Sequence, residues 1–130
     1  MEQSILIIDD SMDDILLTER AIARIGRTIR TETALSGQQG LELLEKRTFS
    51  PSLILLDLKL PGIDGLDVLH WIRRNERHGD VPVVIVTSSN LQSDREACQR
   101  SRANSFIHKS ADLNRFTTEL QKELVRWLTL

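Results

Sequence analysis

Apolar residues follow two rhythms along this chain. Four short runs are almost unbroken: SILII at 4–8, SLILL at 52–56, VPVVIV at 81–86 and the weaker SFIH at 105–108. A fifth segment, TIRTETA at 28–34, alternates and reads as a half-exposed strand at a sheet edge. Runs with no polar side are what strands buried on both faces of a parallel sheet require. Between these runs the pattern changes to helical. Residues 12–25 set Ile15, Leu16, Ile22 and Ala23 on one face, with Thr18, Glu19 and Arg20 opposite. Residues 37–46 bring Leu41 and Leu44 together, and residues 65–75 turn Val68, Leu69 and Ile72 inward. Residues 91–101 are polar apart from Ala97 and Cys98, while residues 112–128 repeat Phe116, Leu120 and Leu124 at steps of four. Ser11, Ser36 and Asp112 stand where helix N-caps belong.

The resulting order is βαβαβαβαβα, with no linker, repeat or low-complexity segment. Strict alternation predicts an α/β architecture of three layers, a parallel sheet between helices joined by right-handed crossovers. In such folds ligands bind outside the carboxyl ends of the strands.

Composition narrows the function classes. The chain has 130 residues, 40% of them hydrophobic and 28% charged, which suits one globular domain. The net charge is −2, which argues against a nucleic-acid surface. No apolar run reaches the length of a membrane span, and no signal-peptide pattern opens the chain, so a cytoplasmic protein is expected. Cys98 is the only cysteine, which excludes an internal disulfide and a cysteine metal cluster.

The chemistry lies where the apolar runs end. The first runs into Asp9 and Asp10, the third strand into Asp57, the fourth into Thr87 and Ser88, and the fifth into Lys109. A parallel sheet gathers all of them at one edge. Three like charges held close raise one another's pKa unless something compensates them. A hard divalent cation does so, and Mg²⁺ takes carboxylates, water and phosphate in octahedral geometry. No His or Cys cluster stands nearby, so zinc fits poorly. Capping alone would explain one of Asp9 and Asp10, but not both. Asp57 can attack a phosphoryl group and hold it as an acyl phosphate. Phosphoryl transfer then needs positioning and positive charge, available from the cation and from Lys109, with Thr87 donating a hydrogen bond. Singly, Asp57 reads as a turn initiator, Thr87 as a strand residue and Lys109 as a surface lysine; together they read as a site.

Other phosphate chemistries lack their signatures. There is no Walker-type loop, and SGQQG at 36–40 lacks the dinucleotide spacing. An aspartyl-phosphate phosphatase of the haloacid dehalogenase type would want a second Asp two residues after the nucleophile, where this chain has Lys59. His70, His78 and His108 are scattered and read as surface residues without a role.

The segments ILIIDD, LILLDLKLPGIDGLDVL, VPVVIVTSS and ANSFIHKS, in this order along nearly the whole chain, resemble the receiver domain of two-component response regulators. The resemblance implies a doubly wound (βα)5 flavodoxin-like sandwich with strand order 2-1-3-4-5. It implies that Asp57 accepts a phosphoryl group from a phosphohistidine on a sensor histidine kinase or phosphotransfer protein. Asp10, Asp57 and the backbone carbonyl of Lys59 would bind Mg²⁺ directly, and Asp9 through a water. Thr87 and Lys109 would hold the phosphoryl oxygens. Phe106 occupies the aromatic switch position, and Lys59 and Ser89 occupy the positions that tune dephosphorylation. The switching surface would be helix 4, strand 5 and helix 5, presented to a downstream protein target.

Two positions depart from the family pattern. Ser110 follows Lys109 where the family usually has a proline in a cis peptide, and a cis bond before a non-proline costs about 2.5–4 kcal/mol, so a trans bond is expected. Arg102 stands where glycine is common. Residues 1–130 are expected to form a single receiver domain with no output domain, so that output is a protein contact or a phosphotransfer. The segment ADLNRFTTELQKELVRWL is similar to small stand-alone receivers that work with phytochrome-type histidine kinases. That likeness implies a red-light sensor kinase as donor and a homodimer through the helix 4, strand 5 and helix 5 face, although Trp127 could equally cover the end of the core. Two alternatives remain. One is a phosphorylation-independent interaction domain, which usually loses the acids or the lysine. The other is a flavodoxin-type nucleotide or flavin binder, in which the acids of DDSMDD at 9–14 would repel a phosphate.

Overall fold

The computed structural model describes residues 3–25 and 28–128, so both ends of the expected 1–130 domain lie outside the described residues. Ten elements alternate: β1 (Gln3–Ile8), α1 (Met12–Ala23), β2 (Ile29–Ala34), α2 (Gly37–Glu45), β3 (Leu53–Leu56), α3 (Gly65–Arg74), β4 (Val83–Thr87), α4 (Gln92–Arg100), β5 (Ser105–His108) and α5 (Leu113–Trp127). The strands form one sheet in the order β2-β1-β3-β4-β5, and every neighbouring pair is parallel. This is the three-layer α/β sandwich that the alternation predicts, in the doubly wound, flavodoxin-like order that the resemblance implies.

The unbroken runs have a simple cause. Side chains alternate across a strand, and here both faces are covered. On one face Leu6, Ile8, Ile54, Leu56, Val83 and Ile85 pack with Leu41 and Leu44 of α2, Val68, Leu69 and Ile72 of α3, and Cys98 of α4. On the other, Ile5, Ile7, Leu53, Leu55, Val84 and Val86 pack with Ile15 and Ile22 of α1 and Phe116, Leu120 and Leu124 of α5. Each fully buried Leu or Ile contributes about 1.5–3 kcal/mol, so the sheet is held rigidly from both sides. The edge strand β2 is only half-buried, as its alternation requires.

Several helix starts match their sequence signals. Ser11 accepts from the Asp14 N–H, Ser36 from Gln39, and Asp112 from Asn114 and Arg115. Asp64, which the pattern did not single out, caps α3 by accepting from Asp67. α4 starts at Leu91 without a side-chain cap.

The structure corrects three readings. In α1 the buried face carries Thr18, while Leu16 is 50% exposed and Ala23 is also exposed. Thr18 tolerates burial because its Oγ1 donates to the Asp14 carbonyl at 2.9 Å. The fourth strand begins at Val83 rather than Val81, after the Pro82 carbonyl has accepted the Ile54 N–H at 2.9 Å. His78 is a core residue, 3% exposed, with Nε2 2.8 Å from the Leu44 carbonyl and its N–H on Asn75 Oδ1. His70 and His108 are exposed, as expected.

Both departures from the family pattern have a visible outcome. No cis peptide occurs among the described residues, so Lys109–Ser110 is trans. Arg102 has φ 67°, the left-handed region that favours glycine, where the chain leaves α4.

Candidate functional site

Three backbone bonds carry the strand ladders one step beyond the strands. The Asp9 N–H donates to the Ala34 carbonyl at 3.0 Å, the Asp57 N–H to Ile8 at 3.0 Å, and the Lys109 N–H to Thr87 at 2.7 Å. Each functional residue is therefore fixed by the strand next to its own. α3 presses on the same place. A Cβ built on Gly65 would lie 2.1 Å from the Asp57 carbonyl oxygen and 2.6 Å from Leu58 Cα, so only glycine allows this helix to start against the Asp57 backbone.

Asp9 and Asp57 are each 5% exposed, and Asp10 is exposed beside them. Carboxylate oxygens of Asp9, Asp10 and Asp57 lie within 4.8 Å of one another. Lys109 reaches over from β5 and donates to Asp9 Oδ2 at 2.9 Å, Asp57 Oδ2 at 3.0 Å and Asp14 Oδ2 at 2.8 Å. Burial alone would push the Lys109 ammonium down, but the hydrogen bonds it donates to Asp14, Asp9 and Asp57 prevail and hold it above its ordinary value. At Asp9 burial prevails instead. Burial raises its carboxyl above the usual range, against the lowering effects of the Ser11 N–H and of Lys109.

Asp14 is the site residue that the sequence pattern missed. It sits in the first turn of α1, and the cap from Ser11 aims that turn at the strand ends. Its signal was the second acidic pair in DDSMDD, whose value depends on Lys109 arriving from the far end of the chain.

The remaining candidates stand around this centre. The Lys59 N–H donates to Asp57 Oδ1 at 3.3 Å, while its ammonium turns away to Asp94, 3.3 Å distant. Thr87 is fully buried, and among the described residues its hydroxyl meets the Ser89 N–H at 3.3 Å rather than any carboxylate of the cluster. Ser89 in turn donates to Asp94. Phe106 is half-buried against the core, with the Arg95 guanidinium 5.1 Å from its ring centroid. Trp127 packs on the α1–α5 core and donates its indole N–H to Ser105 Oγ and Glu123 Oε2, at 3.1 and 2.8 Å.

The donor set suits a hard cation. All three clustered groups offer oxygen, and one ammonium stands against four carboxylates, those of Asp9, Asp10, Asp14 and Asp57. Mg²⁺ fits both the ligand chemistry and the uncompensated charge. Rigid acidic oxygens, one partly buried ammonium and an accessible edge can accept and neutralise a phosphoryl group.

Comparison with known proteins supports the same reading. The chain is 33% identical over 130 residues to the probable methanogenesis regulatory protein FilR2 of Methanothrix harundinacea, covering 95% of this chain and 84% of that protein. Its fold matches that of the phosphorylated cyanobacterial phytochrome response regulator RcpA with a TM-score of 0.92 at 28% identity, covering 99% of this chain and 96% of that one. It matches the Mn²⁺-bound form of response regulator Rcp1 with a TM-score of 0.88 at 28% identity, covering 98% and 96%. Residues 5–121 match the response regulator receiver domain, and the chain, with its acidic cluster and lysine at the carboxyl edge of a 2-1-3-4-5 sheet, belongs to that family.

Proposed function

We propose that this protein is a phospho-accepting switch, a single receiver domain over residues 1–130 in which Asp57 takes a phosphoryl group from a phosphohistidine of a sensor kinase or phosphotransfer protein. The observation that carries this reading is the convergence of Lys109 on Asp57, Asp9 and Asp14 beside the Asp9–Asp10–Asp57 oxygen cluster. Asp10, Asp57 and the Lys59 carbonyl would hold Mg²⁺, with Asp9 acting through a water. When bound, the cation supplies charge that offsets the phosphoryl oxygens.

An Asp57 oxygen attacks phosphorus in line with the phosphohistidine nitrogen. The O–P bond forms, the N–P bond breaks, and the imidazole keeps the electron pair. The transfer adds about 1.5–2 negative charges at one point. Lys109 then exchanges a carboxylate for a phosphoryl oxygen. Thr87 turns its hydroxyl from the Ser89 N–H toward another, and Phe106 moves into the space this leaves. The affected surface is α4, β5 and α5, which would bind the downstream target and a second copy of the chain. Outside its own phosphorylation and slow dephosphorylation the protein turns nothing over. The likeness to RcpA supports a phytochrome-type kinase as donor, and the Mn²⁺-bound Rcp1 supports a divalent cation at the acids. Among the described residues no helix is long and apolar enough to cross a membrane.

Beryllofluoride, which stands in for a phosphoryl group on a carboxylate, tests this. Mg²⁺-dependent binding, seen as a change in tryptophan fluorescence and abolished in a folded Asp57→Asn, is the expected result. Equal binding by that variant refutes the assignment, and sizing with and without the reagent reads out dimerisation.

A further inference from the structure

Lys59 stands two residues after Asp57 and Ser89 two after Thr87, and both side chains turn to one carboxylate, Asp94, in the first turn of α4. Lys59 Nζ lies 3.3 Å from Asp94 Oδ2, and Ser89 Oγ donates to the same oxygen at 2.5 Å. Ser89 Oγ also accepts the Leu91 N–H at 3.3 Å, which ties the entry of α4 into the group. The two ends of this chain of contacts reach the centre. The Ser89 N–H meets Thr87 Oγ1, and the Lys59 N–H meets Asp57 Oδ1, each at 3.3 Å. A circuit therefore runs from the Asp57 carboxylate through Lys59, Asp94 and Ser89 to the Thr87 hydroxyl. It borders a small cavity of about 80 Å³ lined by Leu58, Lys59, Asp64, Leu66, Asp94 and Cys98. Hydrogen bonding from Ser89, with the Lys59 ammonium adding to it, holds the Asp94 carboxyl below its usual range.

Lys59 thus has two possible anionic partners, Asp94 and whatever Asp57 carries. We propose that Asp94 is a positioning residue that withholds the Lys59 ammonium from the aspartyl phosphate and thereby sets how long the phosphate lasts. The inference rests on Asp57 being the phosphoacceptor. Dephosphorylation proceeds when a water oxygen bonds to phosphorus and the bond from phosphorus to the Asp57 oxygen breaks. The electron pair returns to the carboxylate, and inorganic phosphate and a proton leave to solvent. An ammonium drawn onto the phosphoryl oxygens lays its stem across the approach of that water, which must reach phosphorus opposite the Asp57 oxygen. Held by Asp94, Lys59 leaves that approach open. Because Asp94 belongs to α4, anything that draws that helix away releases Lys59 and lengthens the signal.

The test loads wild type, Asp94→Asn, Asp94→Glu, Lys59→Ala and the Asp94→Asn/Lys59→Ala pair with acetyl phosphate and Mg²⁺, removes the donor, and follows loss of the phosphoryl group. The backbone carbonyl of residue 59 is unchanged in every variant. For a solvent-exposed ion pair the expected lengthening in Asp94→Asn is about two- to fivefold. Asp94→Glu, which keeps the charge, restores the wild-type lifetime. The double variant decays like Lys59→Ala alone. A role confined to anchoring α4 would lower thermal stability without this pattern. A wild-type or shorter lifetime in Asp94→Asn, or slow decay that persists without Lys59, overturns the inference while leaving Asp57 in its role. Wild type that takes up no phosphoryl group overturns both.

Discussion

Gly65→Ala is the sharpest probe of how Asp57, the proposed acceptor, is held. The new Cβ would stand 2.1 Å from the Asp57 carbonyl oxygen, 2.6 Å from Leu58 Cα and 2.9 Å from the Asp57 carbonyl carbon, where ordinary contact begins at 3.4 Å. The gap must open by about 1.3 Å, the difference between those limits. Neither side can give way cheaply. The Gly65 N–H is bonded to the Leu58 carbonyl at 2.9 Å, and the Asp57 N–H is bonded to Ile8 in the sheet at 3.0 Å. Overpacking of this kind costs about 1–3 kcal/mol, against about 1 kcal/mol gained from replacing glycine by alanine in a helix. A net loss of up to about 2 kcal/mol is expected in urea unfolding. Phosphorylation suffers more, because a misplacement of about 1 Å at a reacting group can slow a reaction by roughly a hundredfold. The assay pairs the unfolding midpoint with the initial rate of labelling by acetyl phosphate. Gly62→Ala is the control. Gly62 has φ 72°, and a Cβ added there would meet nothing within 4 Å, so that variant should lose about 1–2 kcal/mol to backbone strain and keep most of its labelling rate. A Gly65→Ala protein with wild-type midpoint and wild-type rate would refute the reasoning.

Arg102→Gly should stabilise the protein by about 0.5 kcal/mol in thermal unfolding, since relief of the left-handed strain exceeds the entropy cost of glycine. Arg73 donates to the residue 102 carbonyl, which the change leaves in place, and only the exposed bond from the Arg102 guanidinium to the Arg73 carbonyl at 3.3 Å is lost. A lower melting temperature would count against the assignment of strain. Cys98 gives a pH dependence. Burial, helped by the charge of Asp94, pushes its thiol up to about 11 from an ordinary value near 9. Above pH 9 the unfolded chain has lost a proton that the folded chain keeps, so the Cys98 contribution to stability falls as pH rises from about 9 to 11 and is level below that window. Urea midpoints compared at pH 8 and pH 10 should separate by about 1 kcal/mol more in wild type than in Cys98→Ala, and equal separations would contradict it.

What could be read from the chain, and what could not, divides along physical lines. The sheet was legible because β1, β3 and β4 are covered on both faces and cannot carry a polar side. The convergence of Asp9, Asp10, Asp57 and Lys109 was legible for a related reason, since parallel strands deliver whatever follows them to one edge. Features that depend on one particular partner were hidden. Thr18 goes inside because the Asp14 carbonyl one turn back accepts its hydroxyl hydrogen bond, and His78 because the Leu44 carbonyl faces its ring. Asp14 and Asp94 looked like ordinary first-turn acids until the structure brought Lys109 to one and Lys59 and Ser89 to the other. Thr87 lies at the expected strand end, but its hydroxyl faces Ser89, which position in the sequence could not reveal.

The reach of Lys109 has a consequence for how the chain matures. Its bond to Asp9 spans 100 residues and its bond to Asp57 spans 52. During synthesis the amino-terminal strands emerge first, so the acids of β1, α1 and β3 are in place before the residue that neutralises them exists. Until β5 docks, the nascent protein holds a nest of mutually repelling carboxylates. The docking of β5 brings the ammonium of Lys109 onto three of them at once. A chain caught short of it would therefore lack both one edge of its sheet and the cation of its acidic cluster.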